Sequence, residues 1–155
     1  MEIKRILVVN FLTVNTRDAL RHGVALANKF GAELNILRII SNPVNMEAVN
    51  VPDLIWKSEE YKHHLSIQDK YREELDKAIQ QVVKGGLPVK EMITDKEPVQ
   101  EIIRTVKEEK IDLVVVLAHE EGRLEHFLFG AKNDALLRKL PCSVLFVKHE
   151  PRKVG

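Results

Sequence analysis

The sequence is poor in several things, and each shortage excludes something. It holds one cysteine, Cys142, so no internal disulfide can form and a disulfide-stapled secreted scaffold is excluded. No run approaches the roughly 18 apolar residues of a membrane-spanning helix. The start, MEIKRILVVNF, carries an acidic residue and no cleavage-site pattern. A cytoplasmic protein without membrane contact is the expectation. Neither charge is in excess: 24 Lys and Arg against 23 Asp and Glu leave a formal +1. That argues against a nucleic-acid partner held by bulk electrostatics.

Recognised catalytic and phosphate-binding motifs are also missing. There is no G-x-x-x-x-G-K-[ST], and NFLTVN stands where a dinucleotide fold needs G-x-G-x-x-G. A receiver domain needs an acidic pair after its first strand; Asn10 stands there without an acidic neighbour. Ser41, Ser58 and Ser143 lie in no nucleophile motif. His119 and His126 flank Glu120, Glu121 and Glu125, but their spacing matches no zinc motif, so no metal is expected. His63 and His64 are neighbours on a charged helix and point apart, as on a solvated face.

What is present is a regular alternation. The 155 residues, 45% apolar and 30% charged, suit one domain with a real core, placed at 1–150 with 151–155 as a loose tail. IKRILVVNF is an unbroken apolar run, as in a strand buried on both faces. A helix follows, capped by Asn15 or Thr16, with Leu20, Val24, Ala27 and Phe30 on one stripe and Gly31 ending it. ELNILRII is a second strand. An irregular segment, 41–57, follows, in which Trp56 is read as an anchor to the core rather than a lid over a pocket. A long helix then has Ile67, Tyr71, Leu75, Ala78 and Val82 inward and stops at Gly85-Gly86. LPVKEMIT is a third strand. EPVQEIIRTVKEEK is a helix with Pro98 in its first turn and Val99, Ile102, Ile103 and Val106 inward. IDLVVVLA, a helix at about 124–139 and CSVLFVK complete the series. Strictly alternating strands and helices predict an α/β doubly wound parallel sheet with helices on both faces. Ligands in such sheets sit at the carboxyl ends of the strands, here near Asn10, Ile40 and Leu117 and the loop to Gly130.

The chain resembles the universal stress protein family in IKRILVVNF, DALRHGVALANKFGAEL, EPVQEIIRTVKEEKIDLVVV and FGAKNDALLRKLPCSVLFVK. The resemblance implies a five-stranded sheet in the order 3-2-1-4-5. It also implies an ATP or AMP site, whose signature after strand four is Gly-x-x-Gly and then Gly-Ser or Gly-Thr. On this sequence those positions fall on Leu117, Glu120, Gly130 and Ala131, and the Asp that ends strand one is Asn10. Only Gly130 is kept. Side chains at Leu117 and Glu120 would hinder the approach of backbone to phosphate. An acid about 4 Å from a phosphate repels it by about 1 kcal/mol in water and about 4 at an effective dielectric near 20. A helix terminus offers an anion only about 0.3–2 kcal/mol. Arg123 and Lys132 offset part of this. Asn10 retains a bland reading, a polar strand end, beside a ligand-holding one; Gly130 is read first as close helix packing.

Two functions follow as expectations. The leading one is a non-enzymatic stress-response or regulatory module with no expected cofactor, nucleotide binding weakened or lost, and an unknown regulatory protein partner. It acts as a homodimer through the fifth strand, Ser143 to Lys148, which the resemblance places at a sheet edge and pairs with its copy. The alternative is an ATP- or AMP-binding switch, or weak ATPase, with a variant phosphate loop.

Overall fold

The computed structural model describes residues 2–11, 17–40, 59–117 and 138–148, with backbone alone at 11, 59–68 and 71. Strand β1 runs Arg5–Phe11, helix α1 Arg17–Phe30, β2 Glu33–Ile39, α2 Glu59–Lys84, β3 Val89–Thr94, α3 Pro98–Glu108, β4 Leu113–Leu117 and β5 Ser143–Val147. The strands form one five-stranded parallel sheet in the order β3-β2-β1-β4-β5. Fold class and strand order are therefore as expected from the sequence. The expected helix at about 124–139 lies largely outside the described residues, as do Asn15, Thr16 and the segment 41–57.

Alternate residues of the apolar strands feed two separate cores, because successive side chains leave a strand on opposite faces. Ile6, Val8, Leu34, Ile36 and Val115 face α1 and α2, where Leu20, Ala27, Leu75 and Ile79 meet them. Leu7, Val9, Leu37, Ile39 and Val114 face α3, where Val99, Ile102 and Val106 meet them. The long helix thus buries Ile79 beside Leu75, with Ala78 and Val82 only partly covered; Ile79 was not on the expected stripe. Phe30, expected on the inner stripe of α1, is 48% exposed. The stripe that is buried is Ala19, Leu20, Gly23 and Ala27, and Phe30 is the last helical residue before the chain turns.

Gly23 explains the close seating of α1. A Cβ at this position would lie 2.3 Å from Cγ2 of Val8, so only glycine lets the helix approach β1 this closely. Both α1 and α3 end in the same way, with a left-handed residue followed by an apolar one. Gly31 (φ 63°) precedes Ala32, whose N–H donates to the Ala27 carbonyl at 2.9 Å; Lys110 (φ 52°) precedes Ile111, whose N–H donates to the Val106 carbonyl at 3.0 Å. At the start of α3, Glu97 caps the helix by accepting from the N–H groups of Val99 and Gln100 at 3.2 and 2.8 Å. At the amino end of the sheet the Asp112 carboxylate accepts from the N–H groups of Lys4 and Arg5 at 2.8 and 2.9 Å, joining β4 to β1.

Candidate functional site

Helices α1 and α2 cover one face and α3 the other, so the winding reverses between β1 and β4. In sheets wound in this way ligands sit outside the carboxyl ends of the strands, where the reversal occurs. The described residues at this rim are Asn10 near the end of β1, Ile40 just after β2, Thr94 ending β3 and Leu117 ending β4.

Asn10 is 1% exposed, and among the described residues neither its Oδ1 nor its Nδ2 has a hydrogen-bond partner. A buried polar group left unpaired costs about 1–3 kcal/mol. The Nδ2 of Asn35 likewise has no partner among the described residues, but Asn35 is the third residue of β2, towards the opposite end of the sheet. An orphan amide alone therefore does not mark a site; Asn10 is set apart by lying at the reversal point.

The other sequence-derived positions divide. The Leu117 side chain is buried in the core shared with α1 and α2, beside Val147, its register partner across β4 and β5. Ile40 is exposed, and its N–H donates to the Thr94 carbonyl at 2.9 Å, extending the β2–β3 ladder by one rung. Glu120, Gly130 and Ala131 lie outside the described residues, as do Glu121, Arg123, Glu125, Lys132, His119, His126 and Trp56; so do the side chains of His63 and His64.

Two charged clusters beside the rim were not singled out in the sequence. Arg38, opposite Asn10 in the β1–β2 register, donates through Nη1 to Asp76 of α2 at 2.6 Å and to Glu91 of β3 at 2.8 Å. Burial alone would lower the pKa of this guanidinium, but the hydrogen bonds to Glu91 and Asp76 and their charges outweigh it and raise it. On the other face Glu101 is buried one turn into α3. Its carboxyl is held below the ordinary range by hydrogen bonds from Arg104, against the opposing effect of burial; Lys96 and Thr94 add to the lowering. The only signal in the sequence for Arg38 is a lone cation in ELNILRII, and Glu101 resembles any acidic first-turn residue.

Among the described residues no group of three or more His, Cys, Asp or Glu could hold a metal ion. No described helix is long and apolar enough to cross a membrane. Cys142 begins the approach to β5 at the end of the sheet away from the rim. Burial raises its pKa, with the charge of Asp112 adding to the effect, so at neutral pH it is a protonated thiol rather than a nucleophile.

Comparison with known proteins matches residues 2–148 to the model of the universal stress protein family. Universal stress protein MJ0577 of Methanocaldococcus jannaschii is 24% identical, with 95% of this chain and 96% of that protein covered. Its solved structure superposes with a TM-score of 0.63 at 21% identity, over 97% of this chain and 99% of that one. Universal stress protein E of Salmonella typhi is 34% identical over 47% of this chain, a match that spans only 24% of that longer protein. A universal stress protein solved in complex with cAMP superposes with a TM-score of 0.60 at 18% identity, over 96% of this chain and 98% of that one.

Proposed function

The chain belongs to the universal stress protein family, and on that premise we propose that it is a non-enzymatic stress-response or regulatory module, acting as a homodimer through β5, whose rim binds adenine nucleotide weakly or not at all. The observation that carries the dimer is the edge itself. β5 closes one side of the sheet, and Leu145 and Phe146 in its middle are 37% and 38% exposed. An exposed apolar strand at the end of a sheet favours association, and a two-fold axis closes it. Sedimentation of the wild type beside Leu145→Lys and Phe146→Lys tests this. A wild-type monomer, or a dimer indifferent to both charges, overturns it. Val144 is a poorer probe because it packs against the α3-side core.

Weak nucleotide binding rests on the chemistry of Glu120 and Ala131 in place of glycine and a hydroxyl. Calorimetric titration with ATP near physiological salt should give nothing tighter than millimolar; a micromolar dissociation constant overturns it. The buried side chain of Leu117 also means that Leu117→Gly would remove core packing rather than simply clear space for phosphate.

One observation favours the second reading, an adenine-nucleotide switch or weak ATPase. The unpartnered carboxamide of Asn10 offers a donor and an acceptor together, which an adenine edge or a ribose hydroxyl complements. In that reading Asn10 holds the nucleoside, with Gly130 and Ala131 at the phosphates. Denaturing the purified protein and assaying for released adenine nucleotide separates the two: stoichiometric release selects the switch.

A further inference from the structure

Among the described residues β5 has a strand on one side only, β4, with which it pairs in parallel along its whole length, Ser143–Val147. Its side chains alternate between the two faces of the sheet. Val147 joins the core on the α1–α2 face beside Leu117, and Val144 packs on the α3-side core with Val114. Leu145 therefore lies on the α1–α2 face and Phe146 on the α3 face, as do their register partners Val115 and Val116. These are the exposed large apolar residues of β5, at 37% and 38%. A partner that covered one face of the sheet would leave one of them in water. A strand laid along β5 reaches both.

We propose that β5 pairs antiparallel with a second copy of itself, with the two-fold axis passing through Leu145. This rests on the homodimer proposed above and fixes which residues meet in it. Residues opposite each other in an antiparallel pair point to the same face. The axis that turns a sheet edge onto its copy stands perpendicular to the sheet, so each face continues across it. The axis must then pass through a residue rather than between two, because a slip by one residue sets a side chain of one face against one of the other. With Leu145 on the axis, Leu145 meets its copy, Val144 meets the partner's Phe146 and Ser143 meets the partner's Val147, so the whole of 143–147 is paired. With Phe146 on the axis only 145–147 pair within the strand, and Val144 stands opposite the partner's Lys148. With Val144 on the axis only 143–145 pair, and Val147 stands opposite the partner's Pro141, which has no N–H for a ladder. Moving the axis further pairs less still. Only the Leu145 position sets apolar against apolar at 144, 145 and 146, and it places an aromatic ring opposite a β-branched residue twice.

The test uses the full chain in a Cys142→Ala background, with Leu145→Cys, Val144→Cys or Phe146→Cys added singly. Each is checked for dimerisation by sedimentation under reducing conditions and then oxidised. Directly opposed residues have Cα atoms about 4.5–5.5 Å apart, within the span of a disulfide, about 4.4–6.8 Å. Diagonal ones are about 7–8 Å apart, too far for it. Leu145→Cys should therefore cross-link to itself, about tenfold faster or more than Val144→Cys or Phe146→Cys alone. Val144→Cys mixed with a mass-tagged Phe146→Cys should give the mixed cross-linked dimer. If Leu145→Cys weakens the dimer, the mixed pair decides, since it leaves Leu145 in place. A dimer in which Val144→Cys or Phe146→Cys links to itself fastest, or in which no pair links, overturns the register while the homodimer read by sedimentation stands. A wild type that sediments as a monomer overturns both.

Discussion

The two faces of the sheet each carry one arginine with two carboxylates, and the two clusters are built inside out with respect to one another. On the α1–α2 face the cation is inside: the Arg38 side chain is 8% exposed, while Asp76 and Glu91 reach water. On the α3 face the anion is inside: the Glu101 side chain is 6% exposed, and Arg104, which binds it at 2.6 Å and Glu108 at 3.0 Å, is 52% exposed. The first cluster spans three elements, drawing α2 onto the β2–β3 edge; the ion pairs of the second lie within one helix, with Thr94 of β3 adding a hydrogen bond to Glu101. A buried charge is costly mainly when its partners are removed. The same chemistry therefore braces tertiary structure on one face and mainly steadies a single helix on the other.

The largest test of that contrast removes both partners of the inner cation. Asp76→Ala with Glu91→Ala strands a buried guanidinium and should cost about 3–5 kcal/mol in urea unfolding. Arg38→Met should cost clearly less, because the two acids left behind turn to water. Equal losses would mean that the burial of Arg38 does not govern the cluster.

Next in size is the packing of the same face. Gly23→Ala places a methyl against Val8 and should cost about 1–3 kcal/mol by overpacking, read as a lowered thermal midpoint. A neutral result would show that α1 can lift from β1 without penalty.

The helix ends give a smaller, opposed pair. Gly31→Ala forces a side chain into the left-handed region and should cost about 1–2 kcal/mol. Lys110 already carries that strain on the α3 face, so Lys110→Gly should gain about 0.5–1 kcal/mol. Changes of the same sign would break the parallel between the two ends.

The smallest effect is one of pH. The hydrogen bonds from Arg104 lower the folded pKa of Glu101 against the pull of burial, whereas in the unfolded chain a glutamate titrates near about 4.3. Its contribution is therefore complete above that value and disappears as pH falls through the lower, folded one. Glu101→Gln should cost about 1 kcal/mol at neutral pH. The gap from wild type should narrow as stability is measured below about pH 4. A gap that stays constant into acid would remove Glu101 from the acid response.

The contrast also shows what a sequence can reveal. The apolar runs of β1, β2 and β4 and the spacing of Val99, Ile102 and Val106 are local signals that place those elements, while the sheet order follows from the family resemblance. The phase of a helix against the sheet is less local, which is why Phe30 was placed inward and Ile79 omitted. The Arg38 cluster is less local still, because its partners are 38 and 53 residues away. At the candidate site Asn10 was legible because a polar residue interrupts an apolar run; that its amide lacks partners among the described residues depends on every neighbouring element.

The contact between Asp112 and the start of β1 closes a chain separation of 108 residues. Strand β1 is the middle of the sheet, yet its neighbour on one side is made directly after it and its neighbour on the other only after β2 and β3. During synthesis the β1–β2–β3 half therefore emerges first, with the β1 edge open until β4 arrives. Closure of long loops slows assembly, and an open apolar edge is where growing chains stick to one another. Asp112, accepting two N–H groups at the entrance to that edge, helps to shut it in register once residues 113–117 have been made.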